Sequence, residues 1–188
     1  MLEIEQKFHV GDFTAVKRIL AAWGARPGED HVEADHYFNA PDRDFARTDE
    51  AFRLRRIGQA NFLTYKGPKK AGPVKVRTEL EIPLRDGDRC AEEMTRLLVC
   101  LGYRPVAVVR KRRRHFHFRR DGLDLIACLD DVDELGRFAE VEVLTPDEQE
   151  TAARTVLEQT AKALGLTALE RQSYLGLLLA KRGAAGSE

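Results

Sequence analysis

Through most of the chain apolar and polar residues alternate one for one, and a 3.6-residue period replaces that alternation in four places. The alternating runs predict strands over residues 2–9, 51–57, 61–66, 74–83, 107–118, 123–130 and 138–144, with a weaker one over 34–38. Gly58, Gly67-Pro68, Asp86-Gly87, Asp121-Gly122 and Gly136 separate them with turn-forming residues. The helical period predicts helices over 13–23, 89–101, 146–164 and 168–181. Asp12 and Asp88 stand as N-caps of the first two, and Gly24, Gly102 and Gly165 as stops. Thr145-Pro146-Asp147-Glu148 reads as a capping box with proline at the first helical position. So many strands with so few helices between them imply a mostly antiparallel sheet in an α+β fold, not a chain of βαβ units.

The polar face of these strands is charged rather than mixed. Leu2, Ile4 and Phe8 share a face with Gln6, and the other face carries Glu3, Glu5 and Lys7. Phe52 and Leu54 alternate with Arg53 and Arg55, and Val76, Leu80 and Ile82 with Arg77, Glu79 and Glu81. Ala139, Val141 and Val143 alternate with Glu140 and Glu142, while Thr64, Lys66 and Asp130 fit the same scheme. In the run from Arg110 to Arg114, strand alternation puts Lys111 and Arg113 on the inward face and leaves Arg110, Arg112 and Arg114 outside. Like charges at i and i+2 repel, so a merely solvated face gains little from this pattern. The expected arrangement turns the apolar faces outward under the helices and the charged faces into a wet interior. A closed barrel of about eight strands has a lumen narrow enough for every wall to reach one ligand.

The chemistry of that lumen follows from its donors. The expected inward acids are Glu3, Glu5, Glu79, Glu81, Asp130, Glu140 and Glu142, and the expected inward bases are Lys7, Arg53, Arg55, Lys66, Arg77, Lys111 and Arg113. Carboxylates grouped without His or Cys suit the hard cations Mg²⁺ or Mn²⁺, and Arg forks and Lys suit phosphate oxygens. Acids and bases balance, so divalent cations arriving with a triphosphate of about four negative charges leave the site near neutral. His9, His115 and His117 share the inward parity and read as satisfied or solvated side chains near a tunnel mouth. Phe116 and Phe118 read as core.

Composition narrows the class. The 188 residues hold 31 Lys plus Arg and 31 Asp plus Glu, and this zero sum speaks against a nucleic-acid or membrane-surface binder, which would be clearly basic. Apolar residues make up 43%, enough for the core of one domain, expected over 1–182 with 183–188 as a disordered tail. No apolar run approaches the ~18–20 residues of a membrane span, and the opening residues do not form a signal peptide. Cys90, Cys100 and Cys128 make no CxxC pair and read as reduced thiols of a cytoplasmic protein. The first two are expected to be buried on their helix, and Cys128 to lie on the tunnel wall.

The ordered motifs resemble those of the CYTH domain, or triphosphate tunnel metalloenzyme, family. Glu3-Ile4-Glu5-Gln6-Lys7 is similar to its N-terminal ExExK signature, and Tyr37-Phe38-Asn39-Ala40-Pro41-Asp42 to its YYDTPD-like segment. Later family motifs resemble the segments from Phe52 to Arg55, Leu63 to Pro68, Arg77 to Glu81 and Val109 to Arg113, and the block from Leu129 to Glu142. Asn39 stands where the family often has Asp, in what is expected to be a loop. The segment at 63–68 and the block at 129–142 look most like the class IV adenylyl cyclase branch. That resemblance implies an eight-stranded antiparallel tunnel, a divalent metal, ATP as substrate, cyclic AMP and pyrophosphate as products, and a homodimer. The expected catalytic residues are Lys7, Arg53, Arg55, Lys111, Arg113 and Asp130, with Lys66 and Arg77 also binding the substrate. The acids named above are the expected metal ligands. Sister branches hydrolyse inorganic or thiamine triphosphate, which is the alternative reaction. A polyphosphate- or RNA-binding module without catalysis is a further alternative, but Glu3, Glu5, Glu140 and Glu142 would repel phosphate unless a metal intervened.

Overall fold

The computed structural model describes residues 2–68 and 75–185. The first residue of the expected 74–83 strand, the side chain of Val76 and residues 186–188 lie outside the described residues. The chain opens with strand β1 (Leu2–His9), helix α1 (Thr14–Ala22), a two-residue strand β2 (Arg26–Pro27) and strand β3 (His31–Asn39). A one-turn helix α2 (Phe45–Thr48) precedes the hairpin of β4 (Ala51–Ile57) and β5 (Ala60–Lys66), then β6 (Lys75–Pro83) and α3 (Asp88–Cys100). The long β7 (Arg104–Arg120), β8 (Leu123–Val132) and β9 (Gly136–Thr145) form a meander. Helix α4 (Glu150–Ala163), a two-residue β10 (Leu169–Glu170) and α5 (Tyr174–Ala185) follow.

Eight of these strands close into an antiparallel barrel in the order β1-β6-β5-β4-β3-β7-β8-β9, with β9 returning to β1. The short β2 adds to β7, and β10 adds to the end of β1 beyond its pairing with β6. Glycine is required at the β4–β5 hairpin, where Gly58 has φ +57°. The helices pack outside. Leu20 of α1 and Leu157 of α4 are fully buried against Ile4, Leu125 and Val141 on the outer face of β1, β8 and β9. Ala91 and Leu98 of α3 cover Phe38 and Leu54. Burying side chains of this size contributes about 1.5–3 kcal/mol each, which gives each helix a reason to dock. No helix among the described residues is long and apolar enough to cross a membrane.

The strand ranges read from alternation hold to within a few residues, and the departures have local causes. Leu80 and Ile82 on β6 are 56% and 48% exposed, so the helices cover only part of the outer wall. Thr145 makes no capping box: it ends β9 with its hydroxyl on the Pro146 carbonyl, a 3-10 turn spans Asp147–Gln149, and α4 begins at Glu150. Asp88 is the first residue of α3 rather than its cap, and Gly87 takes the cap position. Asp12 does accept from the Thr14 N–H, one residue ahead of the α1 cap position at Phe13. The last helix starts at Tyr174, not 168, because Leu169 and Glu170 pair with β1. It runs to Ala185, through the first residues of the stretch expected to fray. Cys100 is exposed and Cys90 half-buried, whereas Cys128 is fully buried on the inward face of β8.

Candidate active site

Cross-strand pairs put directly opposed residues on one face, so the register identifies the lumen. Glu5 faces Glu142 and Lys7 faces Glu140 across β1–β9, and Arg113 faces Asp130 across β7–β8. Arg53 lies beside Thr64, Lys66 beside Glu79, Thr64 beside Glu81, and Glu3 beside Arg77. Every acid and base assigned inward from the sequence lies on this face, and all except the wholly enclosed Asp130 line a cavity of about 1460 Å³. Arg110 and Arg112 point outward and are exposed, as strand parity requires.

The acids separate into two kinds. Oxygens of Glu3, Glu5 and Glu142 lie within 4.8 Å of one another, a spacing that one hard cation can close. Glu3 also accepts from the Lys66 ammonium at 2.8 and 3.1 Å, and the other expected metal ligands are engaged with neighbouring groups as well. Asp130 accepts from Arg113 Nε at 2.6 Å and Nη2 at 2.5 Å, Glu140 also binds Arg113, Glu79 pairs with Lys66 at 2.5 Å, and Glu81 accepts from Thr64 at 3.0 Å. Burial pushes the Glu142 carboxyl up to about 7 despite the opposing Arg113 charge, with Glu140 and Glu5 adding to the rise. Burial likewise raises Glu3, while a hydrogen bond from Glu3 and the Lys66 ammonium hold Glu79 low against its own burial. The cost of burying the charged forms of Glu3 and Glu142 is one that a hard divalent cation would offset.

The base-lined wall holds two carboxylates that the sequence reading missed. Asp35 accepts from Arg55 Nε at 2.7 Å and Nη2 at 2.9 Å, and from Arg53 Nη1 at 3.0 Å. Glu33 lies 3.1 Å from the Lys111 ammonium and 2.9 Å from Arg55. Both acids are 1% exposed, and their cationic neighbours hold them below the carboxylate range against the cost of burial. Their i, i+2 spacing opposite the paired arginines of β4 was the available signal, because buried guanidinium groups need counter-charges. These two acids turn a balanced lumen into one with an excess of negative charge. Even so, among the described residues Nε of Arg53 and Nε of Arg77 are buried without a hydrogen-bond partner, leaving donors unspent in the cavity wall.

One end of the barrel is closed by the chain itself. Tyr174 and Leu178 of α5 pack on Tyr37, Val109, Val132 and Phe138. The Tyr174 hydroxyl donates to Asp130 at 2.8 Å. Lys7 is 1% exposed, donates to the Gln172 carbonyl at 2.5 Å and lies 4.0 Å from the Tyr174 ring centre. Asn39 ends β3 rather than lying in a loop, and its carboxamide braces the start of α2 by bonding Asp44 and the Phe45 N–H. Of the histidines, His9 is exposed and bonded to Glu170, and His31 bonds Glu33. His115 lies in the cavity wall, where burial and the Arg113 charge lower it to about 4.

A closed antiparallel tunnel whose inner wall is carboxylate, guanidinium and ammonium defines a class of proteins with a charged lumen. Residues 1–174 match the family model described as CYTH domain, and the chain belongs to that family. It is 35% identical over 181 residues to MJ0240 of Methanocaldococcus jannaschii, named as a candidate adenylate cyclase, covering 94% of this chain and 98% of that one. It is 31% identical over 183 residues to the Aeromonas hydrophila protein named adenylate cyclase CyaB, covering 92% and 86%. Among solved structures, PH1819 of Pyrococcus horikoshii superposes with a TM-score of 0.83 at 33% identity, covering 95% and 99%. HpAC1 of Hippeastrum, described as a candidate adenylyl cyclase with a dominant triphosphatase activity, shares the fold at TM-score 0.66 and 16% identity, covering 96% and 95%.

Proposed function

We propose that this chain is a divalent-metal-dependent adenylyl cyclase of the class IV type, converting ATP to cyclic AMP and pyrophosphate inside the tunnel. The observation that carries the reading is a single cavity that joins the Glu3/Glu5/Glu142 carboxylates to a wall of buried cations with unspent N–H donors. At about 1460 Å³ it exceeds the roughly 300–1,000 Å³ of common ligand pockets, so the base and ribose have room beside the phosphates. The names of the two curated relatives support the same reaction.

In this reading Lys7, Arg53, Arg55, Lys66, Arg77, Lys111 and Arg113 grip the triphosphate oxygens. Asp35, Glu33 and Asp130 hold those cations in place before the substrate arrives, so little is lost to ordering them. Glu3, Glu5 and Glu142 would hold Mg²⁺ or Mn²⁺. When bound, the ion supplies charge neutralisation on the phosphates. Cyclisation requires the ribose 3′-oxygen to lie in line with the α-phosphate and the leaving pyrophosphate, and such positioning contributes several kcal/mol. The closed α5 end keeps water from Lys7 and Asp130, which favours attack by the ribose hydroxyl over hydrolysis.

Incubation with Mn²⁺ and ATP, followed by separation of the nucleotides, tests the proposal. Cyclic AMP and pyrophosphate are expected, and 3′-deoxy ATP should bind competitively yet give no cyclic product. Rapid orthophosphate release from inorganic triphosphate, with no cyclic AMP from ATP, would establish the triphosphatase reaction instead.

A further inference from the structure

The wall formed by β7, β8 and β9 carries a second set of metal-ligating side chains with different chemistry. His115 and Cys128 are directly opposed across the β7–β8 ladder, and Glu142 enters from β9. An imidazole nitrogen, the Cys128 Sγ and a carboxylate oxygen lie within 4.8 Å of one another. Each donor comes from a different barrel strand, so the ladders fix their separation and no CxxC or HxxxH spacing announces them in sequence. Nitrogen, sulfur and oxygen together suit a borderline ion of the Zn²⁺ class rather than Mg²⁺. Metal–ligand bonds of about 2.0–2.3 Å bring tetrahedral ligand atoms to roughly 3.3–3.7 Å, a closure that side-chain rotation can supply.

Other features of the wall point the same way. Among the described residues no hydrogen bond engages the ring nitrogens of His115, which makes only ring contacts with His31 at 5.2 Å and His117 at 6.0 Å. The nearby Arg113 charge is already met by Asp130 and Glu140. A neighbouring group, His31, Glu33 and His115, satisfies the same spacing. There, however, Glu33 is held by Lys111 and Arg55, and an added cation would face two fixed positive charges. We propose that His115, Cys128 and Glu142 form a site for one divalent cation of the Zn²⁺ class. Glu142 also belongs to the carboxylate group with Glu3 and Glu5, so this ion and the hard cation compete for that carboxylate.

The test uses the full chain carrying Cys90→Ser and Cys100→Ser, so that Cys128 is the only thiol, titrated with Co²⁺ as a spectroscopic substitute for Zn²⁺ in thiol-free buffer. The expected result is a sulfur-to-cobalt charge-transfer band that saturates at one equivalent and is displaced by Zn²⁺. Cys128→Ala should abolish the band, His115→Ala should weaken Co²⁺ binding at least tenfold, and excess Mg²⁺ should shift the titration to higher Co²⁺. Absence of the band from the folded single-thiol chain would overturn the proposal. So would an unchanged Co²⁺ affinity in His115→Ala, a half-buried position whose loss leaves no buried void. None of these readouts involves turnover, so they succeed or fail independently of the cyclase reaction.

Discussion

Replacing Asp35 by asparagine tests whether the cationic wall is organised by its own buried carboxylates. Asp35 accepts three charge-assisted hydrogen bonds, at 2.7, 2.9 and 3.0 Å, from two guanidinium groups that are themselves almost wholly enclosed. Asparagine keeps the shape but removes the charge and turns one acceptor into a donor facing Arg53 or Arg55. Such bonds contribute about 1.5–3 kcal/mol each, and removing one partner of a buried ion pair costs about 3–5 kcal/mol because the other is left uncompensated. In a chain of this length each kcal/mol moves the midpoint by about 2–4 °C, so Asp35→Asn should melt roughly 6–20 °C lower in phosphate-free buffer. Inorganic triphosphate should raise the midpoint of the variant more than that of the parent, because it replaces the lost negative charge. Acid titration adds a second readout. The guanidinium groups hold Asp35 below its ordinary value despite its burial, so its contribution is full above about pH 4 and is lost as pH falls through the folded value. The variant should therefore show a shallower loss of stability on acidification than the parent. A loss below about 1 kcal/mol, with triphosphate stabilising both chains equally, would refute the reasoning.

Arg112→Ser should change stability by no more than about 0.5 kcal/mol, as ordinary surface changes do, whereas Arg113→Ser should strongly weaken triphosphate binding measured by calorimetry. Equal effects would show the parity of β7 to be wrong. Glu5→Gln/Glu142→Gln should remove turnover at ordinary Mg²⁺ and lower Mn²⁺ affinity in a binding titration, because shape is kept while the charge a hard cation needs is lost. Full activity of this double variant would reject the metal assignment. Tyr174→Phe removes the 2.8 Å bond to Asp130 and should cost about 1.5–3 kcal/mol in urea unfolding. Unchanged stability would mean that the hydroxyl contributes nothing to sealing the tunnel.

Alternation made the barrel legible wherever its two faces differ sharply. Arg53 and Arg55 flanking Leu54, or Glu140 and Glu142 flanking Val141, leave one consistent register. In β3 the outward positions are Val32, Ala34, His36 and Phe38, a small residue and a polar one among them, so the contrast blurred and Glu33 and Asp35 went unassigned. The expected set of seven metal-ligating carboxylates stays undivided in the sequence for a related reason. Strand parity places a side chain on a wall but does not show which acids the neighbouring bases have already claimed, as Arg113 claims Asp130 and Glu140. Local capping signals misled at Thr145, where the demand of the β9–β1 ladder extends the strand through the threonine. Nothing in the helical period of 168–181 reveals that Leu169 and Glu170 pair with β1, a contact set by tertiary placement.

The seam that closes the barrel joins residues 2–9 to residues 138–145, a separation of roughly three-quarters of the chain. Glu5 and Glu142 face each other across that seam, with Glu3 beside them. A cation held there would fasten the first strand to the last strand of the wall, and would stabilise the closed form by mass action as well as serving the reaction. Such distant contacts form slowly, because the intervening chain must be ordered before they are rewarded. During synthesis β1 can find β6 early but must wait for β9, so the carboxylate group stays incomplete until three-quarters of the chain has been made. The nascent protein therefore has no assembled cation site with which to bind a metal prematurely.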